Sequence, residues 1–151
     1  YINVPSIDAR VPGFEDPTLG RRTTERLFAA GADVVFALGG DTVKGALLAA
    51  RDSHRMALGS GTDQYDRVPE ARTALVSSTI RNGDRMVYDY LVSVAMDEAK
   101  GGIRLGTLAN GGVGLAPFHE WDTRIPDWLK SRIALATQGI RDGSIRLPEE
   151  E

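Results

Sequence analysis

Residues 31–42 read Gly31-Ala32-Asp33-Val34-Val35-Phe36-Ala37-Leu38-Gly39-Gly40-Asp41-Thr42. Residues 33–38 are apolar on both faces, the signature of a strand inside a parallel sheet. Gly31 is the residue expected at a left-handed helix C-terminus. Gly39-Gly40-Asp41-Thr42 reads as a tight turn into the next helix. Helix, strand, turn and helix thus follow one another within a few dozen residues, which is the rhythm of α/β architecture.

Upstream, Asp16-Pro17 supplies a cap residue and a proline for the first helical position, and that helix continues through Leu19, Leu27 and Phe28. Residues 1–4 read as a short strand. Because the chain opens inside that strand, a preceding segment is expected. Downstream, residues 43–51 read as a helix and 56–58 as a strand. A further strand is expected at 73–77. Asn82 or Asp84 caps a helix running to about residue 99, with Met86, Val87, Tyr90, Leu91 and Val94 at core spacing. Residues 103–108 are expected as a fifth strand, 109–123 as a glycine-rich loop and 126–142 as a last helix closed by Gly143. Trp128 reads as a packing anchor. A short extended piece, 145–147, precedes the acidic tail 149–151.

This alternation predicts a mostly parallel sheet with right-handed crossovers. Ligands of such folds sit beyond the carboxyl ends of the strands. The loops expected there are 14–16, 39–42, 59–66, 78–82 and 109–114.

Composition narrows the chemistry. The 151 residues carry 18 Lys+Arg against 21 Asp+Glu, a net charge of -3 with no basic stripe, which argues against nucleic acid. No apolar run approaches the roughly 18 residues of a membrane helix. The absence of cysteine excludes disulfides and thiolate chemistry. His54 and His119 lack metal-ligand spacing, and there is no Gly-x-Ser-x-Gly elbow. Neither catalytic residues, a metal nor a cofactor is expected; the chemistry is recognition.

The candidate site residues come from the loops. Gly39 and Gly40 let a ligand approach the backbone, and the helix start beyond them favours an oxygen-rich group. The same turn is also the element a small phosphate-binding enzyme would use, although no Walker-type lysine follows it. Asp63 can accept two hydrogen bonds from a vicinal diol or close an Asx turn; spacing leaves these even. Arg81 is either a donor to a ligand or an exposed charge paired with an acid.

The stretches Gly13-Phe14-Glu15-Asp16-Pro17, Gly31-Ala32-Asp33-Val34-Val35-Phe36, Gly111-Gly112-Val113-Gly114-Leu115-Ala116-Pro117 and Gly139-Ile140-Arg141-Asp142-Gly143 resemble the basic membrane protein family of substrate-binding lipoproteins. The best understood members are purine nucleoside receptors of ABC importers. The resemblance implies a type I periplasmic-binding-protein-like lobe over 1–151, with 126–151 as a returning segment and a first lobe outside this sequence. It implies a nucleoside-like ligand, an ABC permease as partner and an extracytoplasmic, lipid-anchored location. A single lobe would leave room for a homo-oligomer. Matched by position, Phe14 is the stacking aromatic, Gly39 and Gly40 the ligand-facing turn, Asp63 the ribose-holding acid and Arg81 the base-contacting cation. Two positions depart from the family pattern: Gly61 stands where a first acid is usual, and Arg81 stands for a lysine. Asp41 is the candidate for the missing carboxylate. A regulatory or structural lobe that has lost its ligand is the remaining alternative.

Overall fold

The helix α1, Pro17–Ala29, starts where the sequence places it: the Asp16 side chain accepts from the Leu19 N–H at 3.0 Å, and Pro17, which has no N–H, leaves no donor there in need of an acceptor. In the computed structural model, which describes residues 13–147, this helix leads through Gly31 (φ 96°) into strand β1, Val34–Phe36. Helix α2, Thr42–Asp52, and strand β2, Met56–Gly59, follow. The short helix α3, Gln64–Arg67, and a 3-10 turn at Pro69–Ala71 lead to β3, Leu75–Arg81. Then come α4, Gly83–Ala95; β4, Val113–Leu115; a 3-10 turn at His119–Arg124; and α5, Asp127–Asp142.

The sheet order is β1-β2-β3-β4, with β1 and β2 parallel and β2 and β3 parallel. The α/β class with a mostly parallel sheet is therefore as expected. The chain divides into two compact units, residues 13–80 with 115–122, and residues 81–114 with 123–147. The expected strand at 1–4 and the acidic tail lie outside the described residues.

In the first unit, α2 supplies the centre of the core: Val43, Leu47 and Ala50 pack with Val35, Ala57 and Leu75. Gly45 lets α1 lie against α2, since a Cβ there would sit 1.7 Å from the Pro17 carbonyl oxygen. The run at 33–38 is not buried on both faces as expected. Val34, Phe36 and Leu38 stay half-exposed while Val35 is buried, because β1 is the edge of the described sheet and α2 covers one side. Strand β3 begins and ends later than its sequence suggests. Turn bonds from Ala74 N–H to the Ala71 carbonyl and from Leu75 N–H to the Arg72 carbonyl occupy the expected start. The expected loop at 78–82 is consequently strand through Arg81.

In the second unit the helical spacing of α4 is real, but its expected core is not buried. Val87, Leu91 and Val94 are all at least half-exposed, and α4 has no buried residue. Periodicity marks an apolar face; another layer must cover it, and none among the described residues does. The strand expected at 103–108 does not form. Asn110 instead wraps this stretch, its side chain bonding the Thr107 N–H, the Leu105 carbonyl and the Gly112 N–H, so those groups leave the ladder. The strand lies later, at Val113–Leu115, inside the expected glycine-rich loop. Residues 145–147 form no strand. Helix α5 closes at Gly143 (φ 78°) as expected, but Trp128 is exposed rather than a packing anchor.

Candidate functional site

Two loops of the first unit follow the carboxyl ends of the adjacent parallel strands β1 and β2, and they carry most of the expected site. The first begins with Gly39-Gly40. Gly39 has φ 140°, a conformation that favours glycine. A Cβ at Gly40 would lie 2.6 Å from the Phe14 carbonyl oxygen, so the turn and the Phe14 loop approach at backbone distance. Thr42 holds this approach. Its Oγ1 accepts from the Asp16 N–H at 3.0 Å and donates to the Gly13 carbonyl, while its own N–H donates to the Phe14 carbonyl at 3.3 Å. Phe14 is thereby fixed by its backbone and stays 65% exposed, with its ring Cδ1 3.5 Å from where a Gly39 Cβ would be. Asp41 is exposed and makes no cap bond to α2, so its carboxylate is uncommitted among the described residues.

The second loop, 60–63, is tied down at several points. Gln64 N–H donates to Ser78 Oγ at 3.2 Å, and its side-chain amide donates to the Ser60 carbonyl at 2.9 Å. Asp63 closes the Asx turn that its spacing allowed, accepting at Oδ1 from the Tyr65 N–H at 3.0 Å. Its other oxygen pairs with His119 Nε2 at 2.7 Å. Gly61 takes φ 87°. Arg81 is the last residue of β3 and the first of the second unit; it is exposed and forms no ion pair among the described residues.

The structure therefore brings Phe14, Gly39 and Gly40 into one contact group, with Asp41 beside it, and sets Asp63 at the end of the neighbouring strand. Sequence reasoning missed Thr42 as the tie for Phe14, and around Asp63 it reached the Asx turn but not the partners of the second carboxylate oxygen. His119 stacks on Tyr65, ring centroids 3.9 Å apart at 13°. Tyr65 Oη bonds Glu120 at 3.0 Å, and this carboxylate raises the phenol above its ordinary range. The Arg72 guanidinium lies over the same ring at 4.0 Å. The signal for this cluster was 56 residues away from Asp63, in the segment after Gly-Leu-Ala-Pro. Among the described residues no group of three or more His, Asp or Glu side chains is arranged to hold a metal.

Residues 7–135 match the family of ABC transporter substrate-binding proteins described as PnrA-like. The chain belongs to this family. Among curated proteins none matches the chain. Solved structures that share its fold include the following three. An ABC transporter solute-binding protein from Aeropyrum pernix K1 is 20% identical with a TM-score of 0.75, over 91% of this chain and 46% of that one. A transcriptional activator of the comK gene from Bacillus halodurans is 19% identical with a TM-score of 0.77, over 90% and 46%. A solute-binding protein from Conexibacter woesei is 19% identical with a TM-score of 0.68, over 89% and 43%. The chain spans less than half the length of each of these structures. Among the described residues no helix is long and apolar enough to cross a membrane.

Proposed function

We propose that this chain is one wall of the ligand cleft of an ABC-importer solute receptor, and that its ligand is a nucleoside, a purine nucleoside first among them. The exposed Phe14 ring carries the reading. An aromatic held by its backbone against a Gly-Gly turn and left largely exposed is a poor use of apolar surface in a core but a ready platform for a base. The family supports the solute-binding role. On this reading Phe14 stacks on the base, Gly39 and Gly40 admit the ligand to the backbone, Asp63 and Asp41 take sugar hydroxyls, and Arg81 contacts a base edge. The permease is the protein partner, and the location is extracytoplasmic with a lipid anchor.

The competing reading is a lobe that keeps the fold and has lost the ligand. Gly61, without the family's usual first acid, favours it. Its signature is heat stability that no nucleoside changes.

The test is a titration of the 15N-labelled chain with inosine. One wall buries about half of a ligand, so binding is expected near the millimolar range. The amides of Gly39, Gly40 and Asp63 should shift. Phe14→Ala removes a stack worth roughly 1–3 kcal/mol, which flattens the titration while melting changes little, because an exposed ring contributes little burial. Sub-micromolar binding by this chain alone would sink the one-wall reading. A Phe14→Ala variant that binds as the native chain does would sink the stacking assignment.

A further inference from the structure

The segment 115–122 leaves the glycine run and comes back onto β3. Ala116 N–H donates to the Ser78 carbonyl at 2.8 Å, and the buried Ser77 hydroxyl donates to the Ala116 carbonyl at 2.8 Å. Those two bonds deliver His119, three residues on, to the loop that ends β2. His119 takes φ 48°, a left-handed conformation that costs a non-glycine residue and persists where its surroundings fix it. Here they do: the ring stacks on Tyr65, and Nε2 lies 2.7 Å from Asp63 Oδ2. An ionised carboxylate only accepts, so Nε2 carries the proton in this pair.

The count of acceptor sites is informative. A carboxylate has about four lone-pair sites, two on each oxygen. Tyr65 N–H takes one on Oδ1 and His119 takes one on Oδ2, which leaves one free on each oxygen. The Asp63 side chain stays 27% exposed, so the carboxylate is in reach of solvent. Two acceptors on two adjacent oxygens, held in a fixed plane, match the two hydroxyls of a cis-diol. Without His119 the carboxylate keeps a single tether at Oδ1 and can turn about χ2, a broad torsion.

We propose that His119 is a positioning residue: it fixes the plane of Asp63 and so gives the site its preference for a ligand with a cis-diol. This rests on the nucleoside reading above and adds to it the residue that makes the sugar, not only the base, a determinant of binding.

Two variants separate the parts of the contact. His119→Phe keeps a ring to stack on Tyr65 and removes the donor; His119→Gln keeps an Nε2 donor and removes the ring. Each is titrated with inosine and with 2′,3′-dideoxyinosine, following amide shifts. The native chain is expected to prefer inosine. His119→Phe should lower that preference about tenfold through loss of a charged hydrogen bond's alignment, with dideoxyinosine binding unchanged, and His119→Gln should restore it. In the native chain, the His119 Nε2 nitrogen resonance should move on adding inosine and stay still on adding dideoxyinosine, a readout that needs no folded variant. If the native chain prefers inosine while His119→Phe keeps the full preference, or the Nε2 resonance ignores inosine, the role of His119 is refuted and the nucleoside reading stands. If the native chain binds both nucleosides equally, the role of Asp63 and His119 toward a cis-diol is refuted while the nucleoside reading stands; if it binds neither, the nucleoside reading fails and this role falls with it.

Discussion

Replacing Thr42 by Val tests whether one hydroxyl holds the Phe14 platform in place. Thr42 Oγ1 serves two partners, accepting from the Asp16 N–H and donating to the Gly13 carbonyl, both partly buried. Valine keeps the methyl, which packs where a Cβ on Gly20 would come within 3.0 Å of it, and removes only the oxygen. Two backbone groups then lose their partners. A buried group left unsatisfied costs about 1–3 kcal/mol; with two groups that water partly reaches, about half of the summed cost applies, about 1–3 kcal/mol in total. Native-state hydrogen exchange resolves this locally. Protection of the Asp16 and Leu19 amides should fall by about 5- to 150-fold. The Leu47 amide, deep in α2, should lose protection only to the extent that the whole unit is destabilised. Thr42→Ser is the control, since it keeps the hydroxyl and removes one methyl worth about 0.8 kcal/mol; Asp16 should stay protected in it. Equal protection of Asp16 in Thr42→Val and the native chain, or equal loss in both variants, would refute the assignment of the tie to Oγ1.

Gly45→Ala places a Cβ against the Pro17 carbonyl and should destabilise the first unit by about 3 kcal/mol or more; a denaturation midpoint equal to that of the native chain would contradict the close approach of α1 and α2. Asp52 receives hydrogen bonds from Arg51 first and Arg21 second, and both hold its carboxyl below the ordinary range. A depressed carboxyl stabilises the fold above its unfolded pKa and loses that contribution as pH falls through the folded value. The melting temperature of Asp52→Asn should therefore lie below that of the native chain at neutral pH, and the gap should close once the pH drops below the ordinary carboxylate range of about 4; a gap independent of pH would show that the charge is not what ties α1 to α2.

How far the sequence reaches depends on the range of the interaction that decides each feature. Asp16-Pro17 starts α1, Gly31 ends it and Gly143 ends α5, each in the expected place, because caps and left-handed residues act within a few bonds. The alternation of elements, and with it the α/β class, is set by the same short-range patterning. The exposed Phe14 beside Gly39 and Gly40 was also within reach, since those residues carry a recognisable family pattern.

Burial and strand pairing were not, because they depend on what lies opposite. Val87, Leu91 and Val94 repeat at helical spacing whether or not a layer covers them, and all three stay at least half-exposed. Ile103 and Leu105 look like a strand, but three bonds from the Asn110 side chain take the neighbouring backbone out of the ladder. The surroundings of Asp63 are the furthest from sequence. Its own residues fix only the Asx turn with Tyr65; its second partner, His119, arrives because Ala116 pairs with β3 between two backbone groups and a buried serine. A pairing across 56 residues is chosen by the closure of the sheet, which no local pattern of side chains records.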